Sequence, residues 1–184
     1  MDRPTPARPA PRLPVLIVRP ALESDAEALG RVHVASWQTT YAGLVPEEYL
    51  AGLKVEGRAE RWRAGLANPE SRTTVIVGEL TPGEVVGFAS FGPEREGLAP
   101  FTGELYALYL VKAAQGHGLG RALLNTAARQ LREAGHRAWM CWVLADNPAR
   151  HFYAALGGRP FREKPIEIGG RCLIEVAFGW QEQV

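Results

Sequence analysis

The hydrophobic pattern changes its period in the middle of the chain. Residues 105 to 111 read Leu-Tyr-Ala-Leu-Tyr-Leu-Val, apolar, β-prone and free of turn residues, which predicts a buried strand. Further on, Leu119, Leu123, Ala127, Leu131 and Ala134 recur at helical spacing, with Arg121, Asn125, Arg129 and Arg132 largely on the other side. Between the two lies Gln115-Gly116-His117-Gly118-Leu119-Gly120. A strand, a glycine-rich turn and a helix in that order make an anion site. The first turn of a helix leaves its N–H groups unpaired, and the helix dipole adds partial positive charge there. Glycines let a phosphate approach the backbone closely. A diphosphate is the expected ligand.

The same reading orders the rest of the chain. Val15 to Val18 predicts a first strand, followed by a helix capped by Ser24 or Asp25 and carrying Ala28, Leu29, Val32 and His33. A break runs from Trp37 to Pro46, which opens another helix through Tyr49, Leu50 and Leu53; Arg58 to Leu66 forms a third short piece. Thr73–Leu80 and Val85–Phe91 read as a hairpin about Thr81-Pro82-Gly83-Glu84. Ala138 to Leu144 is nearly all apolar, as a strand buried on both faces should be. Asn147 and Pro148 supply an N-cap and a first-turn proline for a helix with Phe152, Tyr153 and Leu156, ending at Gly157-Gly158. Closing strands near Arg159–Lys164 and Arg171–Phe178 flank Gly169-Gly170. The βαβα order in the centre predicts two parallel neighbours, and the hairpins on either side supply antiparallel partners. The expected class is α/β (α+β), a mixed sheet of about six to seven strands with helices on both faces.

Composition narrows the function classes. The chain has 184 residues, 46% hydrophobic and 22% charged, which suits one domain, expected over residues 15–184. Residues 1–14 hold five prolines and little to bury, and read as a disordered tail. With 21 basic and 20 acidic residues, the formal charge of +1 offers no global field for nucleic acid or an anionic membrane. No apolar run approaches the ~20 residues of a membrane span, and the start lacks a signal-peptide core. Cys141 and Cys172 make neither a disulfide framework nor a metal site. A cytoplasmic protein without a metal is expected.

Which diphosphate is a question of motif. A P-loop needs Gly-Lys-Ser/Thr, which is absent. A dinucleotide turn needs a third small residue where Arg121 or Leu123 stands. Gln115-x-x-Gly118-x-Gly120, after Leu-Tyr-Leu-Val and before Arg-Ala-Leu-Leu, instead resembles the acetyl-CoA pyrophosphate loop of the GNAT acyltransferase superfamily. Asn147-Pro148-Ala149-Arg150-His151-Phe152-Tyr153, ending at Gly157, resembles a second GNAT segment, in the expected order. The resemblance covers nearly the whole chain from Val15. It implies the GNAT fold, with its two central parallel strands splayed at the cofactor site, and acetyl-CoA as cofactor with CoA as product. It implies that Leu110, Val111, Gln115, Gly116, His117, Gly118, Leu119, Gly120, Arg121 and Asn147 bind the cofactor. The backbone N–H of Leu110, beside an expected bulge near the end of the central strand, would stabilise the oxyanion. Lys112-Ala113-Ala114 departs from the family pattern of proline and bulkier residues.

Acetyl transfer to an amine sets three tasks: the ammonium must lose a proton, the carbonyl oxygen needs donors, and the departing thiolate is best protonated. The resemblance implies that Tyr153 is the acid and Glu104, acting through water, the base. Bland alternatives stand beside both: Tyr153 packs on an apolar helix face, and Glu104 is a solvated strand-end carboxylate. Cys141 in a buried strand reads as core, so direct transfer in a ternary complex is expected over an acetyl-cysteine. The acceptor site is expected at His33, Trp37, Thr40 and Tyr41, near Glu47, Glu48 and Glu94-Arg95-Glu96, a setting for a small cationic amine; a peptide amine remains open. A degenerate relative that binds CoA as a sensor or scaffold is the alternative function. A homodimer through the closing hairpin and Trp180 is a further expectation.

Overall fold

The computed structural model describes residues 16–181, so the expected disordered tail over residues 1–14 lies outside the described residues. Seven strands form one sheet: β1 (Ile17–Pro20), β2 (Thr74–Thr81), β3 (Glu84–Pro93), β4 (Gly103–Leu110), β5 (Ala138–Leu144), β6 (Arg159–Ile168) and β7 (Arg171–Gln181). Their order is β1-β2-β3-β4-β5-β7-β6, antiparallel except between β4 and β5. The helices are α1 (Ala26–Thr40), α2 (Glu47–Ala51), α3 (Val55–Ala67), α4 (Leu119–Glu133) and α5 (Ala149–Ala155). Among the described residues no helix is long and apolar enough to cross a membrane.

Strand alternation sorts the helices onto the two faces. Val75 and Val77 of β2 pack with Phe88 against Leu29 and Val32 of α1. Ile76 and Ala89, pointing the other way, pack against Leu119, Leu123 and Ala127 of α4. β4 and β5 are parallel because α4 carries the chain across the sheet between them.

The feature that positions the site is where this parallel pairing stops. β4 and β5 share only the rungs Gly103↔Trp139, Glu104↔Met140 and Leu105↔Cys141. Beyond them the strands part, yet neither frays. β4 stays paired with β3 out to Leu110↔Gly87, and β5 stays paired with β7 out to Leu144↔Glu175. The fork is therefore held open by a full ladder on each outer edge. Its apex coincides with a bulge. Ser90 pairs with Ala107 and Phe91 with Leu105, leaving Tyr106 as the extra residue, and such an insertion bends the bulged strand.

Four local expectations are corrected. α1 continues through Trp37 to Thr40, since neither glycine nor proline stands between Trp37 and Gly43; the first part of the expected break is helix. α3 begins at Val55 rather than Arg58. The closing strands reach Ile168 and Gln181, because β6 pairs with β7 out to Ile168↔Arg171 and the end of β7 pairs with β5 at Trp180 and Gln181. The bulge lies at Tyr106, at the apex of the fork, rather than near Leu110.

Candidate active site

The fork opens into a cleft of about 660 Å³, walled by β4 from Leu105 to Leu110, by the glycine loop, by Asn147 and Tyr153, and by Ser36, Tyr41 and Trp142. Its first donors are backbone. The Val111 N–H donates to the Val86 carbonyl across the sheet at 2.9 Å. Successive residues of a strand turn their N–H and C=O to opposite edges, so those of Leu110 face the fork. Ser36 Oγ donates to the Leu110 carbonyl at 2.9 Å, which ties α1 to this point and leaves the Leu110 N–H as the donor facing the cleft.

The cleft mouth is the start of α4. Gly116 and Gly118 have φ of 79° and 86°, in the left-handed region that favours glycine. No side chain caps the helix at Gly118, and the bond from the Ala122 N–H to the Gly118 carbonyl leaves the earlier amides of Leu119, Gly120 and Arg121 without intrahelical partners. Helix-dipole charge and free N–H groups converge here. Gln115, Gly116, Gly118, Gly120 and Arg121 line the wall, whereas His117 is exposed and off it. The Leu119 side chain is fully buried in the core, so only its backbone is available to a ligand.

Tyr153 reaches the cleft from α5 and is nearly buried. Burial, reinforced by Cys141, Tyr41 and Tyr109, pushes its hydroxyl well above the ordinary tyrosine range, so it stays protonated. The Tyr41 hydroxyl, also pushed up by burial, lies beside Tyr109 and Asn147. Asn147 Oδ1 accepts from the Ala149 N–H at 2.9 Å and so caps α5 while lining the cleft. Cys141 is buried and its thiol is pushed up by desolvation, which disfavours the nucleophilic thiolate.

Other expected residues lie off the wall. Glu104 is 2% exposed and sits on the last paired rungs, with both oxygens bound to Arg95 at 2.5 and 3.0 Å. His33 is enclosed by Trp37, Trp62, Phe88 and Tyr109. Burial, with Arg58 and Arg61 behind it, lowers its pKa to about 4, and neither ring nitrogen has a hydrogen-bond partner. Trp37 meets the Tyr41 ring edge-on at 4.8 Å. Of His33, Trp37 and Tyr41, only Tyr41 reaches the cleft. Glu94 caps the amides of Glu96, Gly97 and Leu98, so this carboxylate shapes its own loop. Trp180 stacks on Trp139 at 4.0 Å and donates to the Leu156 carbonyl at 2.9 Å, which commits its ring to the interior. Sequence reasoning missed Ser36, Tyr106 and Trp142. A serine within a helix and aromatics within apolar strands carry no local signal of a cleft.

Comparison with known proteins places this geometry. Residues 34–157 match the acetyltransferase (GNAT) family. The uncharacterized N-acetyltransferase YuaI of Bacillus subtilis is 38% identical over 168 residues, covering 91% of this chain and 94% of that protein. In fold, the chain resembles yncA from Salmonella typhimurium, solved with its cofactor acetyl-CoA: TM-score 0.69 at 23% identity, over 92% of this chain and 95% of that one. It likewise resembles the PaiA N-acetyltransferase of Thermoplasma acidophilum, solved in complex with coenzyme A: TM-score 0.67 at 21% identity, over 88% and 98%.

Proposed function

The chain belongs to the acetyltransferase (GNAT) family, and on that premise we propose that it moves an acetyl group from acetyl-CoA to a primary amine by direct transfer within a ternary complex. The observation that carries this reading is the fork: β4 and β5 part after Leu105 and Cys141 while both outer edges remain paired. A slot edged by unpaired strand amides suits an extended, amide-bearing arm. The uncapped start of α4, with positive-φ glycines at 116 and 118, suits a diphosphate. Gln115, Gly116, Gly118, Gly120 and Arg121 would hold the diphosphate, and Asn147 the arm. When bound, acetyl-CoA supplies the acetyl group already activated as a thioester.

The protein's own groups then divide the work. The Leu110 N–H donates to the oxygen that gains charge as the amine adds, and as a fixed backbone group it needs no reorganisation. The Tyr153 hydroxyl, kept protonated by its burial, delivers a proton to the departing sulfur. Glu104 stands at the apex of the fork and receives the amine's proton through water. Because Arg95 occupies both its oxygens, that water must share or displace the guanidinium. The buried, protonated Cys141 supports direct attack by the amine over a cysteine-bound acetyl group.

The test is thermal unfolding with acetyl-CoA, CoA and NAD, followed by thiol release with a panel of primary amines. A ligand at about 100 times its Kd stabilises the native state by about 2.7 kcal/mol, a midpoint shift of several degrees. Shifts with acetyl-CoA and CoA but not NAD, and thiol release with at least one amine, are expected. No shift with either would remove the cofactor reading. A shift without release from any amine would leave a CoA-binding sensor.

A further inference from the structure

The fork is flanked by two aromatic side chains, each carrying a cation. Tyr106 follows the last paired rung on β4, and Trp142 follows it on β5. Arg95 Cζ lies 4.2 Å from the Tyr106 ring centroid and pairs with Glu104. Lys164 Nζ lies 4.1 Å from the Trp142 ring centroid and pairs with Glu175 at 3.2 Å and with Glu96. The two clamps differ in what anchors their cations. Arg95 is held by a bidentate pair to a carboxylate 2% exposed. Lys164 leaves the edge strand β6, and its side chain, 30% exposed, is held by point contacts to Glu175 and the more exposed Glu96.

Three observations make the Trp142 corner a place for an ammonium. One is already there, on an aromatic face and between two carboxylates, the geometry that recognises such a group. Glu175 is 9% exposed and largely stripped of water. Burial raises its carboxyl above the usual range against the opposing pull of Lys164, and Glu96 and Glu104 add to that rise. Among the described residues, the ion pairs made by Glu96, Glu104 and Glu175 are to Arg95 and Lys164. Finally, Trp142 itself lines the cleft at the fork, so the corner adjoins it.

We propose that Trp142, Glu175 and Glu96 form a cation subsite for the acceptor, and that Lys164 is its resident competitor, displaced by a second ammonium carried by the acceptor. The inference rests on the amine-transfer reading above and names its substrate class: amines bearing a further cationic group a short chain away from the reacting nitrogen. Lys164 thereby sets specificity. A monoamine reaches the fork without contesting the corner, whereas a diamine exchanges for a flexible side chain that can return to water.

The experiment is calorimetric titration of 1,4-diaminobutane and 1-aminobutane into the full chain saturated with CoA, so that no turnover occurs. Wild type, Lys164→Met and Glu175→Gln are compared, with Lys164→Gln as a second variant should the methionine perturb folding. Removing the competitor is expected to tighten diamine binding about tenfold, the scale of one desolvated cation–π contact, and to leave the monoamine unchanged. Glu175→Gln is expected to weaken the diamine by a similar factor. Diamine binding that is unchanged or weaker in both Lys164 variants, or undetectable throughout, would overturn the proposal. Acetyl-CoA-dependent thiol release is measured in parallel. The binding pattern without release would leave the subsite standing and remove the transfer reading. Release insensitive to Lys164 and Glu175 would do the opposite.

Discussion

The two ends of the cleft are built from different materials. At the end proposed for the cofactor the available donors are main-chain: the Leu110 amide facing the fork and the uncapped first turn of α4, with glycines at 116 and 118. At the end proposed for the acceptor the groups are side chains gathered from distant elements, of which Trp142 and Tyr41 line the cleft. Arg95 and Glu96 come from the β3–β4 loop, Trp142 from β5, Lys164 from β6, Glu175 from β7 and Tyr41 from the end of α1. Backbone donors are fixed by secondary structure and accept most side-chain changes around them. A cage of side chains changes with every substitution. One fold can thus keep its cofactor while its acceptor varies.

The sharpest probe of this contrast is Tyr153, a side chain working at the backbone-built end. Tyr153→Phe is expected to lower kcat/KM about 100-fold, the lower range for loss of a general acid, while CoA affinity stays near wild type. Thiol-release kinetics and calorimetry on the same preparation check this. Equal losses in turnover and CoA affinity would mean that the hydroxyl binds rather than donates.

Next in size is a backbone change at the same end. Gly118→Ala forces an L-residue to φ of 86°, costing about 1–2 kcal/mol and a midpoint drop on the order of 2–4 °C per kcal/mol. Open space surrounds the site, with only Leu16 Cδ1 near an added Cβ, at 3.6 Å. The expected loss is therefore conformational, and it should weaken CoA while sparing discrimination between amines. Weakened diamine binding in the CoA-saturated variant would mean that the two ends are coupled.

The smallest effect concerns His33, behind the acceptor wall. Its folded pKa of about 4 lies below the ordinary 6.5, so between those values the unfolded chain binds a proton that the folded chain does not. The stability this group contributes is complete above pH 6.5 and is lost as pH falls towards 4. Midpoints measured across that window should fall on acidification, and less steeply in His33→Phe. Identical slopes would place the sensitivity in the carboxylates.

The same division decides what was legible in the chain. Gln115 to Gly120 announces an anion site because glycine's freedom and a helix start are local properties, written in consecutive residues. The strands followed from runs such as Ala138 to Leu144, and the cap at Asn147 from its neighbour Pro148. The two misplacements have different causes. Trp37 lies within α1 because no glycine or proline stands between it and Gly43, a local cue, whereas the bulge lies at Tyr106 because the register with β3 puts it there.

By itself the sequence determined the fold class, the order of its elements and the glycine turn at the start of α4, each set by periodicity and backbone freedom over a few adjacent residues. Only the tertiary structure decided that β4 and β5 part after three rungs, that Glu104 faces Arg95, and that Lys164 rests on Trp142 between Glu96 and Glu175. Those contacts join residues up to 68 positions apart in the chain, Glu96 and Lys164 being the furthest. Charge and aromatic character at such separations become chemistry only when the sheet brings them to one face.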